Sequence, residues 1–436
     1  MSDTYKTLPV AQAANGLRIR LVEILPRLQP DDLISCVFHT VSLADLPKYT
    51  AVSYMWGNEV PDEVILLNGQ PFTVRTNLWT FLDEMEREQA KDQTYHARLQ
   101  LPIKKIPRQQ QRRQEHIPLQ HTFYWVDALC INQADTNERN HQVGIMGSIY
   151  LQAELVISWL GTRDDEVIQG LKVLKKWSSS NDGVDQFQGQ DDQKCRGPAC
   201  SCTHMIDRAL AVCNHVYWTR LWIVQEFILA PRILLFCGSV ATDADIILAG
   251  VRHLTSGLRK SNHILDVAKL KKISTSPASS LVTLRSQQGV HLDPAARGGH
   301  SLSHLLTRLE FSQCSDPRDR IYGLLSLIDK EDMAAYPLVP DYRQHVGDLC
   351  LEVMQHVRQA TWRHGDVEGW NSGRVAKHLL KILGIAANIN ESSLPHLVSL
   401  IGRIESVHKI QSWANTGEEI CAKSLSAKME RIVCLR

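Results

Sequence analysis

Short apolar runs with strand character fill the first half of the chain, and helical stripes fill the second. Tyr49 to Tyr54 (YTAVSY) is rich in β-branched and aromatic residues and predicts a strand, closed by the loop signal Met55-Trp56-Gly57-Asn58. The run Val64 to Leu67 meets Asn68-Gly69, a strong hairpin turn, and returns through Phe72 to Val74. Leu78, Phe81, Leu82 and Met85 share one face of a helix over Asn77 to Glu88. Phe123 to Leu129 (FYWVDAL) is apolar almost throughout, the pattern of a strand buried on both faces, and only Asp127 interrupts it. Asp135 and Glu138 form a capping pair for the next helix, where Val143, Met146, Ile149 and Ala153 recur at helical spacing. Leu155 to Leu160 (LVISWL) is a second buried strand, closed by Gly161. Strand, helix, strand, twice over, predicts an α/β domain with a parallel sheet.

Ile206, Leu210, Cys213 and Tyr217 form a further helical stripe. Trp218 to Ala230 (WTRLWIVQEFILA) reads as a helix ended by Pro231, and Arg232 to Cys237 as a strand ended by Gly238. Past about residue 240 the pattern is mainly helical, with stripes at Leu302, Leu305, Leu306, Leu309 and at Val346, Leu349, Cys350, Val353, Val357; Pro340-Asp341 signals the start of the last. Residues 1–48 hold short apolar pieces such as Leu17 to Ile24 and no clear motif. Two polar stretches, about 89–121 and 178–203, read as insertions. The first carries Lys104, Lys105, Arg108, Arg112 and Arg113; a phosphate or nucleic-acid patch is one reading. A solvated loop is favoured, because aromatic stacking residues are missing. No repeat of 20–50 residues is visible.

Composition narrows the classes. At about 150 residues per domain, 436 residues suggest two or three domains. A 44% hydrophobic and 22% charged chain is globular, which excludes bulk disorder, collagen and coiled coil. Forty-eight basic against 47 acidic residues leave no global basic field for nucleic acid and no acidic tail. No apolar run approaches the roughly 18 residues of a membrane span. The start, MSDTYKTLPVAQAANG, lacks a basic region followed by an apolar one, so no signal peptide is expected. Eleven scattered cysteines are unlike a small disulfide scaffold and suggest reduced thiols in a cytoplasmic or nuclear protein.

Candidate chemistry outside the main motifs is thin. Cys195, Cys200, Cys202, His204, Cys213 and His215 crowd one stretch, yet their spacing differs from the paired Cys knuckles of zinc sites, so no metal is expected. Cys130 has no histidine fixed near it by spacing, and a buried thiol is the safer reading. No Walker loop or GxGxxG follows a strand, so kinase, ATPase and Rossmann dehydrogenase readings lack support.

Four blocks carry a resemblance. They are YTAVSYMWG (Tyr49 to Gly57), FYWVDALCINQADTNERNHQVGIMGSIYLQAELVISWLG (Phe123 to Gly161), YWTRLWIVQEFILA (Tyr217 to Ala230) and DPRDRIYGLLSL (Asp316 to Leu327). Together they resemble the fungal heterokaryon-incompatibility (HET) domain, for which the DALCINQ-x-D-x-x-E-R run is highly specific. The domain proper would cover 49–230 with both insertions, between a 1–48 segment and a mainly helical 231–436 region. The DPRDRIYGLL block and VPDYRQ (Val339 to Gln344) are typical of the region downstream. Met55 departs from the usual small aliphatic residue. The resemblance implies a trigger of incompatibility and programmed cell death in a filamentous fungus.

HET domains are also considered distant relatives of TIR domains, which implies a TIR-like, flavodoxin-type fold. SYMWG is similar to the Ser-aromatic-x-Gly loop of TIR strands, and WIVQE (Trp222 to Glu226) resembles the TIR Trp-x-x-x-Glu element. Its glutamate is catalytic in TIR domains that hydrolyse NAD, which carries that role to Glu226.

Cleaving the nicotinamide–ribose bond builds positive charge on the sugar, and one carboxylate beside it can stabilise that charge. Trp222 lies one turn before Glu226 and could stack on a base. Ser53, Tyr54, Trp56 and Gly57 sit at a strand's carboxyl end, where open α/β sheets bind ligands; Asp127, Asn132 and Gln133 follow the next strand. NAD would be a substrate, and no cofactor is expected. Bland roles stand beside these: Glu226 paired with Arg220 or Arg232, Trp56, Trp125, Trp159 and Trp222 in the core, and Asp127 anchoring the CINQ loop. Arg139 and Glu138 would cap or pair at a helix start, and Arg318 and Asp319 near Asp316 would form a salt-bridged helix start. No receptor module is recognisable, so a separate sensor protein and a homo-oligomer are expected. The alternatives are a non-enzymatic module acting by self-association and partner recruitment, and a family member without activity.

Overall fold

Runs of Val, Ile, Leu and aromatics place three strands wholly out of water: β3 (Thr50–Tyr54), β7 (Leu155–Trp159) and β8 (Ile233–Cys237) are buried at every position. Burial on both faces makes such strands continuous in apolar character rather than alternating. The computed structural model describes Tyr5 and residues 17–29, 31–57, 60–99, 123–178, 201–257, 267–288 and 299–363, with positions 379, 381 and 383. The chain forms two units, residues 1–293 and 294–436.

In the first unit, β1 (Arg18–Leu25), β2 (Ser35–Ser42), β4 (Glu63–Leu67), β5 (Gln70–Val74), β6 (Phe123–Trp125) and β9 (Val240–Asp243) join those three. The single sheet runs β5-β4-β2-β1-β6-β3-β7-β8-β9. Its centre, β6-β3-β7-β8, is parallel. Ser53 stands opposite Ser158, and Tyr54 opposite Trp159. The helices are α1 (Thr76–Leu99), α2 (Asp127–Cys130), α3 (Thr136–Gln152), α4 (Asp165–Ser178), α5 (Ser201–Cys213), α6 (Ile223–Leu229), α7 (Ala244–Gly257), α8 (Val267–Ser274) and α9 (Pro277–Gln287). The fold is α/β, as expected.

The sheet is mixed, where the element order predicted a parallel one. β1–β2, β4–β5 and β8–β9 pair antiparallel. Two of these are tight hairpins, turning at Asn68-Gly69 (φ 52° and 75°) and at Gly238 (φ 53°). So short a link permits only antiparallel pairing, because parallel neighbours need a crossover. β1 and β2 belong to the sheet although they precede residue 49 and carry no motif.

Three further expectations change. β6 ends at Trp125, and Asp127 opens α2 instead of continuing the strand; its Oδ1 accepts the Ala128 N–H at 2.7 Å, a local bond that turns the chain. Trp218 to Ala230 is not one helix: a 3₁₀ turn over Val216–Thr219 stops at extended Arg220, and α6 starts at Ile223. Tyr217 therefore leaves the stripe of α5. Asp135 caps α3 alone, accepting from the Asn137 and Glu138 N–H groups, while the Glu138 carboxylate turns elsewhere. Of the stretches read as insertions, residues 89–99 continue α1; 100–122 and 179–200 lie outside the described residues.

Helices α4 and α5 pack through Gly170. A Cβ there would stand 2.1 Å from the Arg208 carbonyl oxygen and 2.6 Å from Val212 Cγ2. Backbone cannot yield as a side-chain tip can, so Gly170→Ala is expected to cost about 1–3 kcal/mol. A lower urea midpoint at unchanged slope would show it.

The second unit is helical: α10 (Leu302–Arg308), α11 (Asp319–Tyr322), α12 (Lys330–Ala335) and α13 (Val346–Arg363). It joins the DPRDRIY and VPDYRQ blocks into one junction. Arg318 forks onto Asp316 at 2.9 and 2.8 Å and donates to the Tyr342 and Gln344 carbonyls. The Tyr342 hydroxyl donates to Asp319 Oδ1 at 2.6 Å. Arg318 and Asp319 thus hold the helix start, as their structural reading required. Among the described residues no helix is long and apolar enough to cross a membrane.

Candidate active site

Four segments converge at the carboxyl ends of β3 and β7. β3 supplies Ser53 and Tyr54, and the loop after it supplies Trp56. α2 supplies Asp127, the turn before α6 supplies Tyr217 and Arg220, and α6 supplies Glu226. Ser53 Oγ donates to Glu226 Oε2 and lies 2.7 Å from the Tyr217 hydroxyl oxygen. Glu226 is completely buried, and its Oε1 accepts no well-formed hydrogen bond. Burial pushes the Glu226 carboxyl up to about 7; the Arg220 charge opposes the shift and the Asp127 charge adds to it.

Arg220 contacts Asp127 rather than Glu226. Its Nη1 donates to the Tyr54 carbonyl, and its Nη2 lies 3.3 Å from Asp127 Oδ2. Burial works against the guanidinium charge, but Glu226 and Asp127 outweigh it. The same Asp127 oxygen accepts the Trp56 Nε1–H at 2.8 Å. The Trp56 ring also meets the Arg75 guanidinium at 5.0 Å and that of Arg220 at 5.8 Å. Gly57 follows at φ +76°; a Cβ there would find only Asn77 Cβ at 3.5 Å, so the backbone angle, not space, calls for glycine. Burial first, and carboxylate neighbours next, raise the phenols of Tyr54, Tyr150 and Tyr217, so they act as neutral hydroxyls.

Ser53, Tyr54, Trp56, Asp127 and Glu226 are therefore brought together. Asn132 and Gln133 instead brace the loop after α2. Gln133 Nε2 donates to the Asp127 carbonyl at 3.1 Å, and the Asn132 N–H donates to Glu138 Oε1 at 2.6 Å. Trp222 sits half-buried just before α6, one turn from Glu226. Arg232 lies 3.7 Å from Asp243, away from Glu226. Trp125 and Trp159 are core residues.

Sequence reasoning missed Tyr217 as a partner of Ser53, and it missed Arg20 altogether. Arg20, in apolar β1, is wholly buried and forks onto Glu138 at 2.5 and 2.9 Å while donating to the Cys130 carbonyl at 3.0 Å. The one sequence signal is an arginine set between Ile19 and Leu21 inside RIRLVEIL. Cys130 is buried, and burial pushes its thiol up to about 12, which leaves no thiolate for a nucleophile. Cys195 and Cys200 lie outside the described residues. Cys213 is a buried thiol, and His215 Nδ1 accepts the Tyr217 N–H at 3.2 Å. Among the described residues no three His, Cys, Asp or Glu side chains group to hold a metal.

Residues 49–226 match the family described as Heterokaryon incompatibility protein (HET). This stretch is a HET domain. Over 391 residues the chain is 26% identical to "Heterokaryon incompatibility protein 6, OR allele" of Neurospora crassa. That alignment covers 81% of this chain and 54% of the relative, so the chain spans about half the relative's length. No solved structure matches. The whole carboxylate cluster, from Ser53 to Glu226, falls within the HET domain. Arg20, β1, β2, β8 and β9 fall outside the matched HET segment, yet they complete its sheet.

Proposed function

We propose that this chain is a fungal incompatibility effector that triggers cell death on non-self recognition, with a TIR-like HET domain that hydrolyses NAD at Glu226. The observation that carries this reading is the Glu226 carboxyl bonded to Ser53 at the carboxyl end of β3. The central parallel strands, numbered by their place in the chain, run second, first, third, fourth. That is the start of the flavodoxin-type order, whose ligands bind where the order reverses, here between β3 and β7. In the reaction, the ribose C1′–nicotinamide bond breaks and nicotinamide leaves neutral with the bonding electrons. Water adds to C1′ and releases one proton. Ionised Glu226 stabilises the cationic sugar and holds its hydroxyls, Arg220 favours the ionised form, and Trp222 offers a face to the base. Self-association would assemble the active form in the cytoplasm, under a separate sensor protein.

A non-enzymatic module that self-associates and recruits partners is the second reading. The complete burial of Glu226 favours it. NAD loss over time separates the two, using residues 1–436 at high protein concentration, wild type beside Glu226→Gln. The hydrolase reading expects turnover by the wild type and a loss on the order of a hundredfold or more in the variant. No turnover by folded, self-associated wild type would leave the scaffold in front.

A further inference from the structure

The cluster is graded in its access to water. Glu226 and Tyr217 are wholly buried and Ser53 almost so, whereas Trp56 is half-buried, and the Arg220 and Asp127 side chains keep 17% and 10% exposure. The water-side members are also those bonded to one another. Asp127 Oδ2 takes the Trp56 indole N–H and the Arg220 guanidinium at one point, and Arg220 reaches back to the Tyr54 carbonyl beside Ser53. This layer therefore stands nearer to water than Glu226 does.

We infer that Trp56, Asp127 and Arg220 form a latch that holds the Glu226 carboxyl closed and must release before any ligand touches it. Three observations carry this. The buried Oε1 lacks a hydrogen bond, a cost that opening to water or to a substrate hydroxyl removes. Arg220 is part-buried and Asp127, though buried, keeps 10% of its side chain exposed, so water can follow as the two separate. Gly57, directly after Trp56, sits in the left-handed region that other residues enter only at a cost, so the closed form depends on glycine there.

The latch rests on the proposed hydrolysis for its purpose, but not for its existence, so its test does not depend on turnover. Carbodiimide-coupled amine labelling of carboxyls on the full chain, read residue by residue by mass spectrometry, reports the access of reagent to Glu226. Trp56→Phe keeps the ring and removes the donor to Asp127. A lost hydrogen bond to a charged acceptor corresponds to about tenfold or more in the open population. Labelling of Glu226 is expected to rise by that factor, while Glu138, also buried, stays unlabelled as the sign that the fold is intact. Gly57→Ala, which disfavours the left-handed backbone of the closed form, is expected to act in the same direction. Unchanged labelling of Glu226 in both variants, or an equal rise at Glu138, would overturn the latch. Faster labelling with no NAD consumption would uphold the latch and remove the hydrolase reading.

Discussion

Arg20→Ala is expected to lower the stability of the first unit by about 3–5 kcal/mol, the usual cost of removing one partner from a buried ion pair. The guanidinium is wholly buried and the Glu138 side chain nearly so. Without Arg20 the carboxylate keeps only the Asn132 N–H, and the Cys130 carbonyl loses a donor. Asn132 lies in the loop after α2 and Cys130 ends α2, the short helix that Asp127 opens, so the damage should spread towards the candidate site. Urea unfolding followed by tryptophan fluorescence measures the loss. Arg20→Met combined with Glu138→Leu should cost less than either single change, because it leaves no charge behind. A loss below about 1 kcal/mol for Arg20→Ala would mean that this contact does not anchor β1 to the loop.

Glu226→Gln is expected to remove a pH dependence of about 3 kcal/mol from the stability of the fold. The Glu226 carboxyl is raised from an ordinary value of 4.5 to about 7, chiefly by burial. Below about pH 4.5 both folded and unfolded chains hold the proton, and the group is neutral to stability. Between about 4.5 and 7 the unfolded chain releases it while the native chain retains it, so native stability falls as pH rises. Above 7 the penalty is complete. Gln keeps the shape and has no charge, so the wild type should lose ground to the variant across that window and run parallel outside it. Urea midpoints of both proteins from pH 4 to 8.5 give the difference directly, since other titrations cancel in it. Parallel curves throughout would mean that Glu226 titrates as an ordinary exposed carboxyl.

Much of the local structure was legible in the sequence. Asn68-Gly69 announced its hairpin, because few residue pairs tolerate two successive positive φ angles. The continuous apolar run LVISW announced a strand with both faces covered, and β7 is buried at every position. FYWVDAL misled at its second half, because its apolar character describes burial and not conformation; the Asp127 side chain ended the strand by accepting its neighbour's backbone N–H. WTRLWIVQEFILA misled for the same reason, since its composition could not show the extended break at Arg220.

The sequence by itself determined the β3 and β7 strands, the Asn68-Gly69 hairpin, the HET domain, and Glu226, Ser53 and Asp127 as residues to watch, because these follow from neighbours along the chain and from a specific motif. Tertiary structure alone decided that the sheet is mixed, that Arg20 meets Glu138 across 118 positions, and that Arg220 turns to Asp127 rather than to Glu226. It also decided that Ser53 lies against Glu226 across 173 positions and that the carboxyl is shut from water. The physical reason is range. Period, turn chemistry and capping act within a few residues, whereas burial and charge pairing depend on which distant segments the packed sheet brings together.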